Sequence, residues 1–180
     1  MLKIHNTALL VIDVQGKLAQ LMYDKETMFA NQKRIIEGAR LLALPIIWAE
    51  QLPDKLGPTT PEIAELLQAS CEPSSKVTFS CCGNETLQNQ IQQVERKQFL
   101  VIGIETHVCV YQTTLDLLEQ NYEAHVVTDA VSSRTAENKA LGIQCMHEAG
   151  ATLTGTEMAL FELLRRADHA QFKKIARLVK

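Results

Sequence analysis

The stretch Ala8-Leu-Leu-Val-Ile-Asp13 is a short apolar run that ends on a carboxylate. Runs of the same kind recur along the chain and alternate with longer segments of helical period. They are near-continuously apolar rather than alternating, which is typical of parallel strands covered on both faces. The runs lie at 8–13, 44–50, 99–104, 124–129 and 151–155, with a weaker sixth strand predicted around 76–79.

Helical segments fill the intervals between these runs. Strand and helix in alternation predict a doubly wound α/β fold with right-handed crossovers. We therefore expect a mostly parallel six-stranded sheet of order 3-2-1-4-5-6, with helices on both faces, in a single domain spanning residues 1–180. The predicted helices cover 28–44, 61–69, 84–94, 106–120, 136–149, 157–166 and 169–179.

The composition limits which partners and which kinds of site we expect for this protein. Hydrophobic residues make up 46% and charged residues 22% of the 180 residues, and the net charge is −3. This balance favours neither nucleic acid nor an anionic membrane as a partner. The sequence shows no export signal, and its five cysteines form no C-x-x-C pairs, which argues against a disulfide framework and a structural zinc site. We expect a cytoplasmic protein with reduced thiols.

The predicted strand order indicates where function lies. In sheets of this kind, ligands bind beyond the carboxyl ends of the strands, where the strand order reverses. Here that point lies between the first strand, which ends at Asp13, and the fourth, which runs into Glu105-Thr-His-Val-Cys109. An acid and a thiol are therefore predicted to meet in one crevice.

Cys109 is the first candidate for chemistry. With Thr106 as the N-cap, Cys109 takes the third helical position, where free amides and partial positive charge favour a thiolate. The alternative is a small buried apolar residue, because free cysteine is often buried. Cys81 and Cys82 are adjacent and carry no comparable signal.

A thiol nucleophile needs a base. His107 is near in sequence, but positions two apart do not face each other on a helix. Asp13 is better placed, with a strand-ending turn as its alternative role. Asp129 is a rival acid that we interpret as an anchor for 130–134. Lys76, taken alone, looks like an ordinary solvated lysine.

Three motifs together resemble the isochorismatase-like cysteine hydrolases. They are Ile12-Asp13-Val-Gln15, then Gly103-Ile-Glu-Thr-His-Val-Cys109-Val110, and finally Val126-Val-Thr-Asp129-Ala-Val-Ser-Ser133-Arg134, with a lysine in mid-chain. The similarity runs in register from about residue 7 to 160. The segment 49–61 and the closing 169–175 resemble most the branch of isochorismatase domain-containing proteins.

The resemblance assigns roles to particular residues. It implies Cys109 as nucleophile, Asp13 as base and Lys76 as the cation that orients the pair. It also implies a cis peptide before Glu105, with the backbone amides of Glu105 and Cys109 at an oxyanion. We expect pocket walls at the same strand ends, from Gln15, Gln51, Ile104, Thr106 and His107. Relatives that hydrolyse nicotinamide carry metal-binding histidines after the second strand; 50–61 contains none, so we expect neither metal nor cofactor.

The resulting prediction is a hydrolase that cleaves a small amide-like or carbamoyl-like compound through a thioester. Two alternatives stay open: a catalytically silent binding or scaffolding module, and a redox-sensing thiol protein. We also expect a homo-oligomer, a dimer or larger, because apolar stripes on 136–149 and 169–179 exceed what one sheet needs. The predicted partners are a small-molecule substrate and further copies of the chain, with no nucleic acid and no membrane.

Overall fold

The sheet has six strands, all parallel, in the order β3-β2-β1-β4-β5-β6, and the predicted fold is confirmed. These coordinates come from a computed structural model that describes all 180 residues. The central strand β1 is buried along its whole length, as its apolar run requires. The strands are β1 (Thr7–Ile12), β2 (Ile46–Gln51), β3 (Ser74–Lys76), β4 (Gln98–Ile104), β5 (Glu123–Ser132) and β6 (Thr152–Thr154).

Nine α-helices connect and cover the strands, and none of them is both long and apolar enough to cross a membrane. The two shortest, α1 and α3, were not predicted, because four residues carry no helical period. The helices are α1 (Gly16–Ala19), α2 (Lys25–Leu41), α3 (Pro53–Leu56), α4 (Pro61–Leu67), α5 (Glu85–Gln93), α6 (Tyr111–Glu119), α7 (Ala136–Glu148), α8 (Thr156–Leu164) and α9 (Phe172–Leu178).

Each face of the sheet has its own apolar core. Leu9 and Val11 point to one face and pack with residues of α2, α4, α8 and α9. Leu10 and Ile12 point to the other face and pack with residues of α5, α6 and α7. Each fully buried Leu or Ile contributes about 1.5–3 kcal/mol, so these two layers hold the strand ends in fixed positions.

Two strands differ from their predicted bounds by more than two residues at one end. The edge strand β3 ends at Lys76, where the prediction had it begin, because the preceding serines pair with β2. In β5 the pairing with β4 continues to Ser132, past a register irregularity between Val101 and Gly103. Polar residues in the second half of β5 hid this extension from the sequence pattern.

The C-terminal helix α9 packs against the chain's own core. Ile175 is fully buried, and the Arg34 side chain on α2 donates a hydrogen bond to the Leu178 carbonyl at 2.9 Å. The apolar stripe of 169–179 is therefore used within the subunit. Our reason for expecting an interface at this helix is wrong.

A glycine brings the ends of β1 and β4 close together at the carboxyl edge of the sheet. Gly103 has φ +123°, and a Cβ at this position would lie 2.0 Å from the Ile12 carbonyl oxygen. Only glycine fits a backbone approach this close. The residues that follow these two strands, Asp13 and Glu105, consequently begin side by side.

At the opposite, amino edge of the sheet, His125 is buried without a hydrogen-bond partner on either ring nitrogen. Burial is the main cause that lowers its pKa, opposed by the charges of Glu123 and Glu162, while the positive chain terminus adds to the lowering. The folded state therefore binds a proton at lower pH than the unfolded state does. Stability is retained above the unfolded pKa and falls as the pH drops below about 6.5.

We predict that His125→Met removes part of the acid sensitivity of folding. Methionine fills the apolar site and loses no hydrogen bond, because the imidazole makes none. Urea denaturation at pH 7 and pH 5 should show a smaller drop in the free energy of unfolding for this variant than for wild type. His5→Met, at an exposed histidine, is the control and should follow wild type. Equal drops in all three proteins would contradict this explanation.

Candidate active site

Asp13 follows β1 directly and is almost fully buried, at 3% exposure. Its backbone lies in the left-handed region, with φ 54°, which aspartate tolerates better than most residues. One carboxylate oxygen, Oδ2, accepts a hydrogen bond from the Lys76 ammonium at 2.7 Å. The other, Oδ1, is buried with no hydrogen-bond partner. Asp13 therefore has one carboxylate oxygen that is hydrogen-bonded to Lys76 and one that has no hydrogen-bond partner.

Lys76 ends the edge strand β3 and is also buried. Besides Asp13, its ammonium donates to Gln51 Oε1 at 2.7 Å and to the carbonyl oxygens of Phe79 at 2.9 Å and Thr78 at 3.2 Å. A buried charge is tolerated when it is paired and fully hydrogen-bonded. The ammonium therefore fixes the Oδ2 atom of Asp13 in the buried site.

Cys109 lies in a short π-helical turn, Thr106–Val110, that connects β4 to α6. Glu105, and not Thr106, occupies the N-cap position, and the Thr106 hydroxyl is buried without a partner. Cys109 is consequently the fourth helical residue instead of the third. The prediction that Thr106 is the N-cap was wrong, because the helical turn begins one residue earlier than expected.

The thiol is protonated at rest. Burial raises the pKa of Cys109 far above its usual range, and the neighbouring negative charge of Asp13 raises it further, while Lys76 acts in the opposite direction. Burial likewise raises the pKa of Asp13, against the lowering effect of Lys76. The helix end does not produce a standing thiolate, contrary to the sequence expectation. Asp13 and Cys109 share one proton as a coupled pair.

The peptide between Ile104 and Glu105 is cis, as the resemblance implied. The amide of Glu105 donates to no acceptor within the protein. The Glu105 carboxylate accepts hydrogen bonds from the backbone and side-chain nitrogens of Arg134, at 3.1 and 3.2 Å. An unpaired amide beside a cysteine is the type of donor that an oxyanion requires.

A pocket of about 120 Å³ opens onto these groups. A cleft of about 680 Å³ lies elsewhere, at the amino end of β2, and no cysteine lines it. The small pocket includes the predicted Gln51 and Ile104, and it adds four apolar residues that the sequence did not reveal. Its lining consists of Asp13, Leu18, Gln51, Leu56, Phe79, Ile104, Glu105, Val108 and Cys109.

Three predicted pocket residues do not line it. Gln15 is fully buried, and its side-chain amide nitrogen donates hydrogen bonds to the backbone carbonyls of Gln51 and Gly57. These bonds connect Gln15 to the end of β2 and to the residue after α3. Thr106 is fully buried behind the turn, and His107 points to the Ser133 hydroxyl at 2.9 Å. Their sequence positions are adjacent to the site, but their side chains are directed to partners or buried positions outside the pocket.

Asp129 is an anchor, but for a different segment from the one predicted. Its carboxylate accepts from the Thr156 amide at 2.9 Å and the Thr156 hydroxyl at 2.9 Å, and so caps the start of α8. It does not line the pocket. Asp13 is therefore the carboxylate next to Cys109.

The other cysteines are also free thiols, and burial raises the pKa of Cys81 and Cys82 to about 12. Cys81 belongs to the same apolar layer as Cys109. No group of three His, Cys, Asp or Glu side chains is arranged to hold a metal ion.

Comparison with known proteins places this site in a family context. Residues 7–158 match the model of the isochorismatase domain. The isochorismatase domain-containing protein 2 of Danio rerio is 33% identical over 174 residues, covering 96% of this chain and 86% of that protein.

Solved structures share the fold. A protein from Caenorhabditis elegans described as MAR1 ribonuclease superposes with a TM-score of 0.91 at 35% identity, covering 99% of this chain and 91% of that one. YcaC from Pseudomonas aeruginosa, solved with hexane-2,5-diol and covalent acrylamide, gives a TM-score of 0.91 at 26% identity, covering 98% and 90%. The Escherichia coli YcaC product, described as an octameric hydrolase of unknown specificity, gives 0.92 at 23% identity, covering 98% and 88%.

We predict that Lys76→Met lowers the free energy of unfolding by about 3–5 kcal/mol, because it leaves the buried Asp13 carboxylate without its charge partner. Adding Asp13→Asn should recover part of the loss. Urea denaturation at pH 7 measures both, with Lys55→Met, at an exposed lysine, as the control. A Lys76→Met protein as stable as the control would show that the ion pair is dispensable for folding.

Proposed function

This chain belongs to the isochorismatase family, and we propose that it is a cysteine-dependent hydrolase of a small amide-like or carbamoyl-like compound. The observation that carries the proposal is the position of Asp13: one oxygen is held by Lys76, and the other is free in a pocket that ends at Cys109. Hydrolase activity is the general property of the family; the thiol chemistry and the type of bond are our own assignment.

The first half of the reaction forms a thioester. The Asp13 Oδ1 atom takes the proton of the Cys109 thiol as sulfur attacks the substrate carbonyl carbon. The amides of Glu105 and Cys109 stabilise the negative oxygen of the tetrahedral intermediate. The intermediate collapses by breaking the C–N bond, and the leaving nitrogen takes the proton from Asp13.

Water completes the cycle. Asp13, again ionised, removes a proton from a water molecule that attacks the thioester carbonyl carbon. The C–S bond breaks, the carboxylic acid leaves, and the Cys109 sulfur regains the proton from Asp13. The raised pKa values of both groups suit this exchange, since neither is fixed in its charged form.

The YcaC relative was solved with covalent acrylamide, a small neutral molecule that nucleophiles attack at its alkene carbon, which supports a small-molecule site with a reactive nucleophile. The relative described as a ribonuclease points to RNA instead. The net charge of −3 and the narrow pocket favour the small molecule for this chain. RNA hydrolysis belongs in the same activity screen, and RNA cleavage that survives Cys109→Ala would replace our proposal.

Self-association and a cytoplasmic location complete the proposal. Large apolar side chains are exposed on α7 and α8, with Leu141 at 56% and Met158 at 62%, and the related E. coli protein is described as octameric. The five free thiols suit a reducing compartment.

We predict that Cys109→Ala lowers kcat on any amide substrate found by at least about a thousandfold, because covalent attack is lost. Asp13→Asn should cause a comparable loss, since the amide cannot accept the thiol proton. Released ammonia or amine is the measurement, and Cys145→Ala, on α7 and outside the pocket, should keep wild-type turnover. Undiminished turnover by Cys109→Ala would exclude the thioester route.

We predict a particle larger than the 20.1 kDa subunit in sedimentation velocity at micromolar concentration. Burial of the exposed apolar side chains of α7 and α8 supplies the driving force. The double variant Leu141→Lys, Met158→Lys should shift the distribution towards the monomer, whereas the exposed pair Lys173→Gln, Lys174→Gln should not. A monomer in the wild type contradicts self-association.

A further inference from the structure

The buried cation that holds Asp13, Lys76, has no hydrogen left for a substrate. The Lys76 ammonium has three N–H donors, and four oxygens compete for them: Asp13 Oδ2, Gln51 Oε1 and the carbonyls of Thr78 and Phe79. Lys76 lies behind Asp13, and no lysine or arginine lines the pocket itself. An anionic group on a substrate would therefore find no partner of opposite charge.

The other polar side chains of the lining are also engaged. The Gln51 side chain donates to the Val77 carbonyl at 2.7 Å and accepts from Lys76. The Glu105 carboxylate accepts from Arg134. Only the Asp13 Oδ1 atom and the Cys109 thiol remain for the substrate, together with the free amide at Glu105. The site can recognise the reacting carbonyl group and a proton of the substrate. It has few hydrogen-bonding groups left for any other polar part of the substrate.

Apolar side chains form the rest of the wall, and two of them stand at the mouth. Leu56 is 37% exposed and Phe79 is 53% exposed, although both line the pocket. An engineered apolar cavity of about 150 Å³ holds benzene, so the present 120 Å³ accommodates a group of about five heavy atoms. The remainder of a longer substrate would lie on these two side chains.

From these observations we infer that the site selects uncharged, compact and largely apolar acyl compounds and rejects carboxylates, with Leu56 and Phe79 as specificity-determining residues. The inference names the substrate class of the proposed hydrolase and rests on that function for turnover. A carboxylate entering the pocket would lose its hydration, gain no cation and approach the charges of Asp13 and Glu105. A neutral amide meets none of these costs.

Alkylation of Cys109 tests the selection without any turnover. Iodoacetamide and iodoacetate deliver groups of nearly the same size that differ by one negative charge. Labelling rates at Cys109 and at Cys145 in the same wild-type protein are read by peptide mass spectrometry, with Cys145 as the internal reference. We expect the amide-to-acetate rate ratio at Cys109 to exceed that at Cys145 by roughly tenfold or more, since only the pocket thiol is shielded from solvent and cations.

A charged variant sharpens the test. Leu56→Lys places an ammonium at the mouth and should raise the iodoacetate rate at Cys109 several-fold, with little change for iodoacetamide. Val77→Lys adds the same charge at a residue that is 72% exposed and outside the lining, and should leave the ratio near the wild-type value. Both positions are solvent-exposed, so neither change disturbs the core.

The outcomes separate this inference from the proposed function. Equal ratios at Cys109 and Cys145 overturn the selection against anions, while amide turnover that depends on Cys109 could still be observed. An amide-selective Cys109 in a protein that hydrolyses no amide overturns the proposed function alone. A Cys109 that neither reagent modifies overturns the inferred selection, because the pocket then admits neither group; it overturns the proposed function as well when Cys109→Ala leaves amide turnover unchanged.

Discussion

The buried ion pair between Lys76 and Asp13 is the interaction on which the site depends. Two charges removed from water are tolerated only when each is compensated, and here the ammonium is surrounded by four oxygens. Those oxygens belong to the ends of β1 and β2 and to the segment after β3. The pair therefore fixes the relative position of three chain segments at the carboxyl edge of the sheet, in addition to holding the charge of Asp13.

The same pair determines how the carboxylate can act. Because Lys76 holds Oδ2, the free Oδ1 is the oxygen left for the Cys109 proton. Burial raises the pKa of both the acid and the thiol, and the raised pKa of Asp13 makes its carboxylate a stronger base towards the thiol proton. A standing thiolate would need more positive charge than this pocket supplies. The chemistry therefore depends on a resting pair in which the thiol of Cys109 is protonated and Asp13 is ionised beside Lys76.

The sequence predicted the sheet and the meeting of Asp13 with Cys109, because buried parallel strands are continuous apolar runs and strand order determines which ends are adjacent. It did not reveal the burial of Lys76, whose partners are distant along the chain and become neighbours only after folding. The apolar walls Leu56 and Phe79 were missed for a related reason: they lie outside any strand or long helix, where periodicity carries no information. We expected the helix N-terminus to lower the pKa of Cys109. That direction was wrong, because burial raises this pKa by more.

Rapid acid quenching during turnover of a small neutral amide, followed by mass spectrometry of the intact protein and its peptides, tests the central claim most directly. The account predicts a transient mass increase equal to the acyl group, located on the peptide that contains Cys109 and absent from Cys109→Ala. Steady turnover with no acyl adduct under conditions that preserve thioesters, or an adduct on another residue, would contradict it.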